Sequence, residues 1–566
     1  MMIDQHTDKL KENYSQSPLY SQDLAPVPKD KRTWGIGHLA AIWVGMAVCI
    51  PTYLLASYMI KSGLNWIEAL VIIGIANIVI TVPMVLNGHA GVKYGIPFPV
   101  IGRAAFGTRG VHLASITRGV IACGWFGVQT WIGGLAIYSI YNVISGNEGE
   151  LGLTVGKFIG FGIFWGINMY FIWKGTESIK WLEAYSAPIL IAMGFVLIGW
   201  GYANADSFSS VLEKSNQLGR ATATIKSEKG SYYLYLEALA GKDGSSKVDE
   251  YGILTTNGKV EWLAYTESPI PVLKSEVLLQ FRNLQETKPI LSSIVTASIY
   301  EGQSTGLQQK IWDYLIWFTA MVGFWATMAI SISDITRYAQ SQRHQVLGQF
   351  IGLPGTMMLY SFVGIFVTCA AVLNFKDVLV SEDAPWDPVS LLSKFDSPYV
   401  VVLAQLFMLI ATLSTNIAAN VIAPSNAFSN LNPKKISFRT GGIITGCVGI
   451  VIAPWWLLDE ISTILVFISG LLGPVLGILI TDYFIVRKKE LKIKQLFKPN
   501  GIYAYGSTGY NRPAMLSLIT GICSALAGFW IPPLSFLYSL SWFVGFAIAS
   551  FTYYFLMKNR IYVHTY

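Results

Sequence analysis

Charge is what this chain has least of. Asp, Glu, Lys and Arg make up 13% of its 566 residues against 53% for the hydrophobic types, about half the charged share of an ordinary water-soluble protein. Cysteine is scarce too. The five, Cys49, Cys123, Cys369, Cys447 and Cys523, show no CxxC spacing and no neighbouring histidine pair, which excludes a disulfide framework or thiolate metal site and leaves them as small packing residues. There is no glycine-rich loop ending in Lys-Ser/Thr, so nothing supports direct use of ATP. The apolar stretches hold no paired carboxylates and no histidine cluster. The histidines, His6, His38, His89, His112, His344 and His564, stand at loops or stretch ends, which argues against an enzyme working inside a membrane. The first thirty or so residues are polar and carry no apolar core before a small-residue cleavage site, so no removable leader is expected.

What the chain does have is apolar runs of about twenty residues, each long enough to cross ~30 Å of hydrocarbon as a helix that satisfies its own backbone. We read twelve: 39–60, 67–87, 114–143, 153–173, 181–203, 312–333, 346–373, 399–422, 441–458, 462–486, 516–531 and 538–557. The expected fold is therefore an all-α integral membrane protein. Its parts are an N-terminal segment 1–38, helices in 39–205, an insert 206–310, helices in 311–486, a basic loop 487–513 and a last pair of helices in 514–566.

Basic residues are retained on the cytoplasmic side. With the N-terminus inside, that side receives Lys29, Lys31, Arg32, Lys93, Arg103, Arg109, Lys174, Lys180, Arg337, Arg343, Lys434, Lys435, Arg439 and the run from Arg487 to Lys498, while the opposite short loops hold Lys61, Lys157, Lys376 and Lys394. Both termini are expected to be cytoplasmic, in a multi-pass protein of the inner or plasma membrane. The net charge of +7 then follows from topology, and nucleic-acid binding is not implied. His89, Lys93 and Arg103 read as loop architecture between the second and third spans.

The insert breaks the helical pattern. Its alternation Tyr232, Tyr233, Leu234, Tyr235, Leu236 and the turn-like Asn257-Gly258 signal strands and a hairpin in a small subdomain outside the cytoplasm. Without it the spans divide five, five and two. Val44-Gly45-Met46-Ala47, with Pro51 behind it, is faintly echoed by Val322-Gly323-Phe324-Trp325. Glycine and proline at matching points of two halves suit a pair of interrupted helices around a midplane site, and suit close helix packing equally.

Polar side chains stranded in these spans carry the chemistry. Trp125 and Gln129 lie i, i+4 on the third span, Asn416 and Asn420 likewise on the eighth, and Trp325 adjoins Gly323 on the sixth. Two indole faces hold a flat ring, and Gln and Asn each offer a donor and an acceptor to a cyclic amide edge. With no charged residue at mid-span, a planar uncharged heterocycle fits. The same amides serve equally to bond one helix to another. Ser414 and Thr415 are candidate oxygen ligands for a small cation, or hydroxyls bonded back to their own helix. Asp334 and Arg337, i, i+3, pair as an inner gate or cap a helix.

These residues together resemble the nucleobase:cation symporter-1 family, and within it bacterial hydantoin and allantoin transporters. The marks are Pro26-Val27-Pro28 with Arg32-Thr33-Trp34, Trp43-Val44-Gly45-Met46, Asn87-Gly88-His89-Ala90-Gly91, the run Lys93 to Val100 with Arg103, Gly124 to Trp131, Asp334-Ile335-Thr336-Arg337 and Ser414 to Asn420. The resemblance implies a five-plus-five inverted repeat with broken first and sixth helices, plus two C-terminal helices. It implies that Trp125 and Trp325 sandwich the ring, that Gln129 and Asn420 bond its edge and that Gly323 offers backbone. It implies a Na⁺ site of backbone oxygens at Ala47, Ile50 and Ala411 with the Ser414 and Thr415 hydroxyls. The expected function is symport of a hydantoin, allantoin, uracil or cytosine type of ring, driven by Na⁺ or alternatively by H⁺. A non-transporting sensor of the same ring is the remaining alternative. Insert 206–310 departs from the family, whose connection there is short, and Pro51 stands where members vary.

Overall fold

The computed structural model describes residues 16–558 apart from 63, 148–152, 175, 204–208, 210, 213–221, 229, 238–247, 255–259, 285–288, 293–294, 299–305, 375–388, 390–391, 394–396 and 458–460. Each predicted span is met by helix. In chain order these are α1 (Ile36–Ala47), α2 (Ile50–Lys61), α3 (Trp66–Tyr94), a short α4 (Phe98–Phe106), α5 (Val111–Ser145), α6 (Val155–Lys174) and α7 (Thr176–Ala203). After the insert come α8 (Gly306–Ser331), α9 (Gln342–Asn374), α10 (Pro398–Asn420), α11 (Ile422–Leu431), α12 (Phe438–Val451), α13 (Ile461–Ile480), α14 (Arg512–Trp530) and α15 (Ser541–Met557). Eight helices cross by length and apolarity alone, and two bent pairs, α1 with α2 and the residues 532–539 with α15, bring the number to ten. The other two predicted spans are α7 and α12, whose described apolar stretches are shorter.

α3 shows how the apolar face is divided between lipid and protein. Ile67, Val71, Ile75, Ile78 and Val82 recur on one face and are about half exposed, while Ile73, Asn77, Ile80 and Met84 on the other are fully buried. A capping box starts the helix: the Glu68 N–H donates to Asn65 Oδ1 and the Asn65 N–H to Glu68 Oε2, each at 2.9 Å. It ends on Gly95 at φ 74°. A Cβ there would also collide with the Arg32 guanidinium and stand 2.6 Å from Val27 O, so the glycine serves both backbone and packing. His89 and Lys93, expected in a loop, lie on α3. Arg103 lies on α4, fully buried, and donates to Leu496 O and Asn430 Oδ1.

The first span is interrupted where glycine and proline predicted it. Cys49 is extended, at φ −144° and ψ 159°, and α2 leaves α1 at 58°. Pro51 has no N–H to return to Ala47 O, and the Cys49 N–H turns to Ala47 O at 3.0 Å, which takes it from its helical acceptor Gly45 O. The sixth span corrects the expectation. α8 runs unbroken through Gly323, and its discontinuity comes at Ile332, before the short turn Ser333–Thr336. Gly323 has a packing role instead: a Cβ would collide with Ser469 Oγ and lie 2.9 Å from Leu465 O of α13.

Two bundles result. α1, α2, α3, α8 and α9 pack on one another, as do α5, α6, α10, α11 and α12, and the two groups meet where α1 faces α10 and where α8 faces α5. α7 lies against α1, α9 and α10, and α13 joins α14 and α15 to α8. On the face where the N-terminal segment docks, Leu24 is fully buried, Asp23 O accepts from Arg337 Nη1 at 3.0 Å, and Asp23 Oδ2 accepts from the Phe438 N–H at 3.2 Å. Arg32 donates to Val27 O and Val92 O. The C-terminal carbonyls of α4 are taken up by the segment after α13: Arg487 and Tyr505 donate to Ala104 O at 2.8 and 2.6 Å, and Asn511 Nδ2 to Ala105 O at 2.6 Å. Arg487 itself is paired with buried Asp482 at 2.7 Å.

The insert's strands are β1 (Thr222–Glu228), β2 (Ser231–Glu237), β3 (Glu250–Leu254), β4 (Val260–Ala264), β5 (Ile270–Val272), β6 (Glu276–Asn283), β7 (Ile290–Leu291) and β8 (Val295–Ser298), and they form two antiparallel sheets, β1–β2–β5 and β4–β3–β6–β7 with β8 also on β6. Leu234 and Leu236 of β2 (Ser231–Glu237) face a core that includes Ile225, Tyr251, Leu279 and Phe281 from both sheets. Asn257-Gly258 lies outside the described residues, but β3 (Glu250–Leu254) and β4 (Val260–Ala264) on either side of it pair antiparallel. Among the cysteines, Cys49, Cys123 and Cys369 are buried as expected of packing residues. Cys447 and Cys523 are exposed on α12 and α14, which corrects the expectation of a packing role for these two.

β1 (Thr222–Glu228) and β8 (Val295–Ser298) pack side by side, so both ends of the unit leave from one place. Replacing 222–298 with a short Gly-Ser linker is expected to leave a monodisperse protein whose melting temperature in detergent changes by less than about 5 °C. Thermal unfolding followed by intrinsic fluorescence tests this, and aggregation of the shortened chain would contradict it.

Candidate functional site

The expected aromatic sandwich takes a different form. Trp125 of α5 meets Phe324, ring centroids 5.4 Å apart and planes at 79°. Phe324 in turn contacts Trp325 at 4.8 Å, and Trp325 packs edge-on to Trp43 of α1 at 5.2 Å. Residues 324 and 325 differ by about 100° around a helix, so only one of them can point at α5. Trp125 therefore faces Phe324, and Trp325 is turned into the α1 contact with its indole N–H, buried, lacking an acceptor among the described residues.

One turn along α5 from Trp125, Gln129 is 3% exposed and its Oε1 has no donor among the described residues. A buried amide oxygen without a donor costs roughly 1–3 kcal/mol, a cost that a bound donor would remove. Next to it the amides do form helix-to-helix bonds. Asn420 Nδ2 donates to Asn416 Oδ1 at 3.1 Å. Asn416 Nδ2 reaches Asn168 Oδ1 of α6 at 3.1 Å, Thr130 Oγ1 at 3.2 Å and Phe126 O at 3.3 Å, and Asn168 donates to Phe164 O at 2.8 Å. Asn416 is thus fully engaged in joining α10 to α5 and α6. Asn420, at the end of this relay beside the break at Val421, is the amide placed to present its oxygen elsewhere.

The hydroxyls of Ser414 and Thr415 look toward the break in the first span. Thr415 Oγ1 donates to Gly45 O at 3.1 Å, the carbonyl that Cys49 leaves vacant, whereas Thr130 and Ser469 bond back to their own helices. Ser414 Oγ lies 4.0 Å from where a Gly45 Cβ would stand and accepts from Ser186 Oγ of α7 at 2.7 Å. Ala411, one turn earlier on α10, packs with Val48 and Ile50 in one cluster. Ile50 and Ala411 thus pack together, Ser414 and Thr415 reach Gly45 two residues before Ala47, and Ser186, which no motif had marked, joins Ser414.

Asp334 and Arg337 do not pair with each other among the described contacts. Asp334 Oδ1 accepts from the Phe98 N–H at 2.9 Å, capping the first turn of α4, and burial pushes its carboxyl up to about 6. Arg337 donates to Asp23 O and Tyr338. The capping alternative describes Asp334, on a helix other than its own. A cavity of about 270 Å³ between α1, α7 and α9 is lined mainly by apolar groups such as Val44, Val48, Ile198 and Leu359, with Thr356 and Tyr360 as its hydroxyl-bearing residues. Phe324, Ser186 and the fully buried Arg118 are what sequence reasoning missed. Only Arg118 gave a signal, as a lone charge in the third span.

Three comparisons bear on this arrangement. A family model described as a permease for cytosine/purines, uracil, thiamine and allantoin matches residues 26–234 and 295–545, passing over most of the β unit. An allantoin permease of Bacillus subtilis (strain 168) is 31% identical over 561 residues, covering 97% of this chain and 96% of the relative. A purine-uracil permease of Arabidopsis thaliana is 32% identical over 562 residues, covering 96% of this chain and 78% of the relative. Among solved structures, the nucleobase-cation-symport-1 family transporter Mhp1 in a closed conformation with bromovinylhydantoin bound superposes with a TM-score of 0.65 at 21% identity over 96% of both chains, and its inward-facing conformation with 0.66. That likeness establishes the inverted-repeat fold. With the family model spanning nearly the whole helical body, the chain belongs to the permeases for cytosine and purines, uracil, thiamine and allantoin.

Proposed function

We propose that this permease imports a planar nucleobase or cyclic ureide, of the hydantoin, allantoin, uracil or cytosine type, by Na⁺-coupled symport with alternating access. The observation that carries the reading is the buried Gln129 Oε1, without a donor among the described residues, one turn from Trp125. An amide acceptor beside an indole face is complementary to a ring that presents an N–H in its own plane. The ring lies against Trp125, and Phe324, which contacts that indole edge-on, swings aside to cover the ring's other face in place of Trp325. Gln129 and Asn420 bond its edge, and the Asn416 relay holds Asn420 at fixed height.

Na⁺ takes the oxygens at the first-span break. It displaces the Thr415–Gly45 hydrogen bond, gains the Ala47, Ile50 and Ala411 carbonyls with both hydroxyls, and has Ser186 behind Ser414. These oxygens come from both bundles, so the ion favours one relative placement of α1 and α10 over another, and that difference in affinity couples ion to ring. In this reading both termini face the cytoplasm. A second reading, H⁺ in place of Na⁺, rests on Asp334, whose buried carboxyl exchanges its proton near pH 6. A carboxyl raised this way favours its protonated form up to that pH and loses the proton above it.

Uptake into proteoliposomes separates the readings. An inward Na⁺ gradient at equal pH is expected to drive uptake of a labelled ring, and uptake that follows only a pH gradient and disappears in Asp334→Asn would establish the proton instead. Thr415→Ala is expected to weaken the Na⁺ stimulation roughly tenfold, the scale of one lost charge-assisted contact. Trp125→Ala and Asn420→Ala are expected to abolish uptake while the protein still elutes as a folded species. In binding measured by tryptophan quenching, Phe324→Ala is expected to cost more affinity than Trp325→Ala, and the reverse order would restore the indole pair.

A further inference from the structure

Arg118 is 1% exposed inside α5, two turns from Trp125 toward the face where the N-terminal segment docks. No carboxylate lies within ion-pair distance of it among the described residues, although Asp334 acts on it electrostatically from farther off. Its Nε donates to Thr327 O at 2.6 Å and to Ser331 Oγ at 3.2 Å, and its Nη2 approaches Met328 Sδ at 3.5 Å and Ala419 O at 3.4 Å. Thr327 and Ser331 belong to the last turn of α8 and Ala419 to the last turn of α10. Two helix C-termini therefore turn their negative ends on one guanidinium. Nη1, equally buried, has no partner among the described residues.

We propose that Arg118 is a positioning residue that keeps closure of the two bundles at this face transient. It rides on the second bundle and bonds the end of α8 in the first, across the contact that must part if the site is to open in this direction. When the bundles are together, the guanidinium exchanges water for neutral carbonyls and one nitrogen is left dry. A buried cation without an anion in contact recovers only part of its hydration. When they separate, water returns to all its donors. The side chain thus opposes a closed state that apolar packing alone would make too stable, while its bonds to both helix ends fix where the bundles meet.

The inference rests on the rocking motion proposed above, so the experiment reads separation directly, without substrate or gradient. Spin labels at Arg343→Cys on α9 and Lys435→Cys between α11 and α12, both exposed, are placed in the full chain with Cys447 and Cys523 changed to Ser, and their distance distribution is measured by pulsed EPR in liposomes. Arg118→Met is expected to raise the ratio of short to long separations about tenfold, with an unchanged or higher melting temperature and slower uptake of the labelled ring. Arg118→Lys is expected to keep the wild-type distribution. Ser331→Ala, which keeps the guanidinium and removes one acceptor, is expected to move the population the other way. A merely structural role predicts a lower melting temperature for Arg118→Met with an unchanged distribution, and that result overturns the proposal, as does a shift of Arg118→Met to longer separations. If Arg118→Met does not fold, an unchanged distribution in Ser331→Ala overturns it. A wild-type chain with one fixed separation overturns the rocking itself, whereas two separations insensitive to both substitutions overturn only the role of Arg118.

Discussion

Every backbone carbonyl inside an apolar slab must find a donor, and the architecture of this permease is organised around the few places where a helix fails to supply one. The sharpest is the turn at Val48 and Cys49. Pro51 removes one N–H, Cys49 redirects another, and Gly45 O is left to Thr415 of the opposite bundle. A single local defect therefore creates both the link between the bundles and the oxygen-rich corner assigned to the ion. The ends of α8 and α10 meet the same requirement with Arg118, and the end of α4 meets it with Arg487, Tyr505 and Asn511.

Where such groups are matched, the fold is rigid, and where they are not, it is available. The relay from Asn420 through Asn416 to Asn168 spends its donors on protein, which fixes α10 against α5 and α6. Gln129 Oε1 and the Trp325 indole N–H remain unspent beside it.

Much of this could be read from the residues alone, because lipid imposes a length and an apolarity that few other constraints mimic. All the predicted spans found helices, and Gly45 with Pro51 marked the true break. Gly323 misled because glycine has two uses in a membrane helix, interruption and close approach, and only the position of Ser469 decides between them. Which of the neighbouring aromatic residues Phe324 and Trp325 meets Trp125 is set by the rotation of α8, which the residues alone do not give. Arg118 stands near the start of its span, where a charge draws no notice. Ser186 gave no pattern at all, since its partner is far away along the chain.

α4 connects α3 of one bundle to α5 of the other, and its two ends are held very differently. The last turn is fastened by three side chains from the segment that follows α13, whereas the first is held by one carboxylate, Asp334, at the foot of α8. In the rocking motion proposed above, α8 would carry the head of α4 with it while the fastened tail stayed put, so this short cross-piece would pivot instead of slide. Its tilt would gauge how far the two halves had travelled.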